Sequence, residues 1–94
     1  MNILFEALAH PTRRAILAML KHGSASAGAI AARFDVSKPT MSAHFSKLRE
    51  AGLIHADKHG TSIVYSLNLS TLEEVLLGFM ATMGIALEEK DPTT

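Results

Sequence analysis

Prolines and glycines divide the first half of this chain into short helical segments, and that punctuation limits the fold more than any other feature. Ile3, Leu4, Ala7 and Leu8 recur at helical spacing and predict a first helix, which His10-Pro11 ends because the residue before proline avoids the helical region. Pro11 suits the first turn of a second helix running to about His22, with Ile16, Leu17 and Leu20 inward and Gly23 as its stop. Ser24 to Ser26 offer N-caps for a third helix of about two turns, with Ile30 and Phe34 pointing inward. Asp35-Val36-Ser37 then makes a tight connection. Ser37 caps a fourth helix, Pro39 fits its first turn, Met41, Phe45 and Leu48 mark its buried side, and Gly52 closes it.

The pattern changes period after Gly52. Two extended runs, around Ile54 to Asp57 and Ser62 to Leu67, flank a hairpin tip at Lys58-His59-Gly60-Thr61. In the second run Ile63, Tyr65 and Leu67 alternate with Val64 and Ser66. Ser70-Thr71-Leu72-Glu73 has the form of a capping box and opens a last helix carrying Leu72, Val75, Leu76, Phe79, Met80, Met83 and Leu87, with residues 88–94 as a frayed tail. The expectation is one domain over residues 1–94, mainly α with a small β-hairpin, in the order α-α-α-α-β-β-α. That order is a winged helix-turn-helix.

Composition removes several functions. The chain has no Cys, which excludes disulfides, thiolate metal sites and cysteine nucleophiles. Met1-Asn2-Ile3-Leu4-Phe5-Glu6 has no basic n-region, and the uncharged stretch from Val75 to Leu87 is shorter than the roughly 20 residues a membrane span needs, so a cytoplasmic protein without membrane contact is expected. The net charge of zero conceals an asymmetry. Residues 1–67 hold eight Lys and Arg against four Asp and Glu, whereas residues 68–94 hold one Lys against five acids. A basic body fits a phosphate-binding surface, and an acidic tail belongs away from it.

In a helix-turn-helix the second helix enters the major groove, and here that is the fourth helix. With Met41, Phe45 and Leu48 inward, Pro39, Ala43, Ser46 and Lys47 face outward, flanked by Lys38, Thr40 and Ser42. Small polar side chains fit between groove walls and reach base edges, although an ordinary solvated helix face would look similar. Lys58, His59 and Thr61 around Gly60 put donors on a protruding wing able to follow phosphates, or simply form an exposed turn. Arg13 and Arg14 near the start of the second helix are candidates for phosphate contact or surface ion pairs. Ser24 and Ser26 are caps first and phosphate donors second, and Ser37, the cap of the fourth helix, counts with Ser26 among the DNA-binding candidates.

Three blocks carry a resemblance: Ala9-His10-Pro11-Thr12-Arg13-Arg14-Ala15-Ile16-Leu17, Val36-Ser37-Lys38-Pro39-Thr40-Met41-Ser42-Ala43-His44-Phe45, and Leu48-Arg49-Glu50-Ala51-Gly52-Leu53-Ile54. In this order and spacing they resemble the ArsR family of bacterial winged-helix repressors, within it most closely the short SdpR-like autorepressor branch. The resemblance implies a homodimer joined by its first and last helices and binding an inverted-repeat operator, possible self-repression included. Ile3, Leu4 and Leu8 are then expected to meet Leu72, Leu76, Phe79, Met80, Met83 and Leu87 of a second copy, since the last helix bears a wider apolar stripe than so small a domain covers. Family members usually carry Asp where His10 stands, and often a longer polar residue at the position of Ala43. His44 matches the family pattern but lies near the buried side, which favours a structural or phosphate-contact role over base reading.

Metal-sensing relatives use a cysteine pair on the helix before the recognition helix, or His and acidic ligands on the last helix. Neither set is here: Glu73 and Glu74 are adjacent and diverge, and the expected pair His55 and His59 lies across the hairpin. No metal, no cofactor and no catalytic residue is expected, because no glycine-framed nucleophile, carboxylate pair or phosphate loop occurs. The expected partners are duplex DNA and a second copy. Release by a small molecule, by an antirepressor protein or by dilution alone stays open. Two other readings compete, a protein-interaction module using Phe79, Met80 and Met83, and an effector-responsive regulator with a ligand site.

Overall fold

In the computed structural model, which describes residues 2–85, the elements follow the expected order with one addition: α1 (Asn2–Leu8), α2 (Pro11–Leu20), β1 (Ala25–Ser26), α3 (Ala27–Ala31), α4 (Lys38–Glu50), β2 (Ile54–His59), β3 (Ser62–Leu67) and α5 (Leu69–Thr82). Leu87 and the tail 88–94 lie outside the described residues.

The addition is β1. It pairs antiparallel with β3, Ala25 opposite Tyr65 and Ser26 opposite Val64, so the hairpin becomes the larger part of a three-stranded sheet ordered β1-β3-β2. A strand this short has no readable alternation, and the serines there read only as caps. Ser26 does both: it ends β1 and its Oγ accepts the Ala29 N–H at 3.1 Å, capping α3. That helix is shorter than expected, so six residues (32–37) rather than three separate it from α4.

The core is built from the inner faces that the periodicity marks. Ile16, Leu17 and Leu20 of α2, Ile30 of α3, and Met41, Phe45 and Leu48 of α4 are all buried, together with Leu53, Ile54 and Tyr65. Tyr65 stacks on Phe45 with ring centroids 4.5 Å apart, so the sheet packs on the inner face of α4. Leu4 and Ala7 of α1 join this core, at 4% and 0% exposure. Leu4 is therefore withdrawn from the expected dimer surface, because α1 lies on α4 of its own chain rather than at an empty edge. Leu8 is half-buried against the same core, and only Ile3 projects freely.

The capping box expected at Ser70 is not used. Asn68 caps α5 from two positions earlier: its Oδ1 accepts the Thr71 N–H, its Nδ2 donates to the Gly52 carbonyl at 2.9 Å and to Thr71 Oγ1 at 2.8 Å, and its own N–H donates to the Leu53 carbonyl at 2.8 Å. One residue, through its side-chain amide and its backbone N–H, thus ties the end of α4, the start of β2 and the start of α5 together. Leu72 and Val75 rest on the core, but α5 contains no buried residue. Among the described residues no helix is long and apolar enough to cross a membrane.

Candidate nucleic-acid interface

The first turn of α4 is fixed by its cap. Ser37 Oγ accepts the Thr40 N–H at 3.3 Å and donates to Thr40 Oγ1 at 2.9 Å, which leaves Lys38, Pro39 and Thr40 exposed around a rigid helix start. Ser42, Ala43, Ser46 and Lys47 are exposed along the outer side, and Met41, Phe45 and Leu48 are buried on the inner side. Ser37→Ala is expected to cost about 1 kcal/mol of stability and lower the melting temperature by roughly 4–8 °C, whereas Ser37→Asp keeps most of it. Calorimetric melting of the two variants checks this; equal losses would show that the cap is not what Ser37 supplies.

The wing is a tight hairpin. Lys58 lies opposite Ile63 and His59 opposite Ser62, and Gly60 takes φ 62° at the first position of the two-residue turn with Thr61. Positive φ there and not at Thr61 is the pattern of a type II′ turn, whose twist suits the hairpin and which favours glycine first. Lys58, His59 and Thr61 are all exposed, with Lys58 and His59 on opposite faces of β2. His55 and His59 share that strand four residues apart instead of facing each other across the hairpin, and among the described residues no group of three metal-ligating side chains assembles.

Two shallow grooves join these parts. One, of about 210 Å³, lies between α3 and α4 and is lined by Lys38 and Ser42 among others; the next, of about 260 Å³, lies between α3 and the wing and is lined by Ser26, Thr61 and Ser62. Ala27 and Gly28 line both. The start of α4, the start of α3 and the wing tip therefore form one continuous surface, with the small residues Ala27 and Gly28 where the grooves meet.

Four of the candidate side chains also bond within the chain. Lys47 Nζ bonds Glu6 Oε1 of α1 at 3.2 Å, an exposed ion pair of small energetic weight. Arg13 is buried at 8% exposure: Nε donates to the Ala7 carbonyl and Nη2 to the Glu6 carbonyl, both at 2.8 Å. Arg14 Nη1 donates to the Leu8 carbonyl at 2.7 Å. The two arginines thus bond carbonyls at the C-terminus of α1, where cations are favoured; the Glu6 carbonyl also accepts the Ala9 N–H.

His44 is the fourth. It is buried at 5% exposure, with Nδ1 3.1 Å from Arg13 Nη1 and its ring 4.5 Å from that of His10. Because a guanidinium only donates, Nδ1 is assigned as the acceptor and the ring proton to Nε2. Burial, then the neighbouring His10 and Arg13, hold His44 below its ordinary 6.5. His10 caps α2 by accepting the Thr12 N–H at Nδ1, 3.1 Å away, so an imidazole does the work of a carboxylate there.

Asn68, β1 and the Glu6–Lys47 pair are not read from the sequence. Asn68 carried a usable signal, an Asx residue directly before an apolar helical run. The pair, at a separation of 41 residues, carried none.

A short helix-turn-helix with an exposed, small-residue recognition helix and a wing bearing Lys58 and His59 beside it defines a winged helix-turn-helix DNA-binding protein. Residues 8–56 match the helix-turn-helix domain family. The transcriptional repressor SdpR of Bacillus subtilis is 45% identical over 79% of this chain and 82% of its own length, and the biofilm growth-associated repressor of Agrobacterium fabrum is 37% identical over 69% of this chain and 56% of its own. A crystal structure of an ArsR family transcriptional regulator superposes with a TM-score of 0.81 at 30% identity, covering 88% of this chain and 91% of that one. The chain belongs to the ArsR family of winged helix-turn-helix transcriptional repressors.

Proposed function

We propose that the surface shared by α4, the start of α3 and the wing holds operator DNA, and that residues 1–94 act as a single domain, in the cytoplasm and without catalysis, as one half of a homodimer on an inverted repeat. The observation that carries this is the continuity of the two grooves through Ala27 and Gly28, which lines up Lys38 and Ser42 with Ser26 and Thr61. In this reading α4 enters the major groove with Lys38, Pro39, Thr40, Ser42 and Ala43 toward base edges. Ser46 is exposed beside Arg49 farther along, and Lys58, His59 and Thr61 follow the backbone. Ser37 holds the helix start, and Arg13, Arg14 and His44 support it from behind.

Footprinting the purified protein on its own upstream region tests operator binding, symmetry and self-repression together. Binding that weakens linearly with the logarithm of salt concentration supports the reading, and binding without salt dependence opposes it. Lys58→Ala is expected to weaken binding to operator and random duplex alike and to lower the salt slope by about one, the mark of one lost phosphate contact. An unchanged slope would take the wing off the backbone.

A further inference from the structure

We propose that His10, Arg13 and His44 form an acid-sensitive latch: with both imidazoles neutral it holds α4 against α1 and α2, and on protonation it frees α4 and releases DNA. The release step rests on the operator-binding reading of α4, whereas the latch itself does not.

The geometry makes both rings act as bases. Thr12 N–H points at His10 Nδ1 at 3.1 Å, and Arg13 Nη1 points at His44 Nδ1 at 3.1 Å. A proton on either Nδ1 sets donor against donor. On His10 it also puts a cation at the N-terminus of α2, where the helix dipole disfavours it. The rings are 4.5 Å apart, so any proton added here gathers positive charge against the buried guanidinium. The groups facing His44 are His10 and Arg13 from α2, and from α1 the Glu6 and Ala7 carbonyls that hold Arg13; the Glu6 carboxylate is bonded to Lys47 of α4. Among the described residues no carboxylate is hydrogen-bonded to either ring. No carboxylate in the cluster compensates an added charge, and Arg13 hydrogen-bonds α1 and α4 together.

The sign follows from His44. Its value in the fold lies below the 6.5 of the unfolded chain. Above about 6.5 neither state binds the proton and the latch contributes fully; as pH falls below it the unfolded chain takes the proton first, and stability declines until folded His44 is protonated too. Acidification therefore loosens α4. Added positive charge ordinarily strengthens phosphate binding, so a fall in affinity on acidification has the opposite sign to the ordinary electrostatic effect.

The test compares wild type with the double variant His10→Asn, His44→Gln, in which Asn caps without titrating and the Gln carbonyl can accept from Arg13. Melting without DNA and titration of a fluorescent duplex of the upstream region are measured at about pH 7.5 and pH 5.5. The wild-type Kd is expected to rise about tenfold or more on acidification and its melting temperature to drop, while the variant keeps its Kd within about threefold and its melting temperature flat. Equal pH dependence of the two proteins in either measurement overturns the proposal. Should the variant not fold, the wild-type imidazole proton resonances decide: a His44 midpoint below 6.5 supports the latch, and one at or above it overturns it. A duplex unbound at pH 7.5 defeats the repressor reading, and the DNA-free melts and resonances still judge the latch.

Discussion

Phe79→Asp is expected to sediment as a folded monomer and to lose operator affinity by about a hundredfold or more, although no DNA-facing residue is altered, because a dimer engages two linked half-sites and a monomer only one. The reason lies in α5. Its residues Leu76, Leu77, Phe79 and, just beyond its end, Met83 and Ile85 are 38–59% exposed, and Ile3 of α1 is 57% exposed nearby in sequence terms to Phe5, which touches Phe79 at 5.1 Å. Exposed apolar side chains in this number on one small domain are expected to be covered by a second copy, giving a two-fold contact that sets the recognition helices about 34 Å apart. Within one protomer Phe79 is 40% exposed and its main contact is the edge-to-face pair with Phe5, worth about 0.5–1.5 kcal/mol, so the variant should still fold alone. Buried in an interface, the same aspartate would be an unpaired charge. Sedimentation and operator titration of both proteins read the two effects together, and a variant that stays dimeric with full affinity would remove α5 from the interface.

The second large effect separates the arginines. Arg13→Ala is expected to cost about 3 kcal/mol or more, roughly 12 °C or more in melting temperature, because it strands the Ala7 carbonyl and His44 Nδ1 in a buried site and leaves the Glu6 carbonyl with only the Ala9 N–H. Arg14→Ala removes one exposed bond to the Leu8 carbonyl and should cost no more than about 1 kcal/mol. If the two were instead equivalent phosphate contacts, both variants would melt like wild type and differ only in salt slope. Melting curves recorded without DNA therefore decide between the two roles.

The helices, the cap at Ser37, the turn at Gly60 and the inner faces of α2 and α4 were legible in the sequence because each follows from nearest-neighbour chemistry. Such features need only local spacing: apolar residues at helical period, a hydroxyl before an amide, a residue free to take positive φ. The same holds for the outward set Pro39, Ala43, Ser46 and Lys47 with Lys38, Thr40 and Ser42 on its flanks, all exposed, since a helix with a known inner face has a known outer one. The resemblance to ArsR repressors also rests on contiguous blocks of residues, which is why the family was visible before the fold.

What the tertiary structure decided are the contacts between elements distant in the chain. Whether Leu4 faced a partner or its own core depended on where α1 lies against α4; whether Arg13 met phosphate or capped α1 depended on the His10-Pro11 corner turning α1 back beside α2. Asn68 replaced Ser70 as the cap because its amide could also reach the Gly52 carbonyl, a partner 16 residues away that local propensity does not see. The same is true of β1, which is a strand only because β3 runs beside it. Side-chain type and spacing specify what a residue can bond, but a long flexible arginine, an imidazole or an amide takes whichever partner packing brings within about 3 Å. For this protein, that choice set the back of the recognition helix, while the chemistry of its exposed side was already written along the chain.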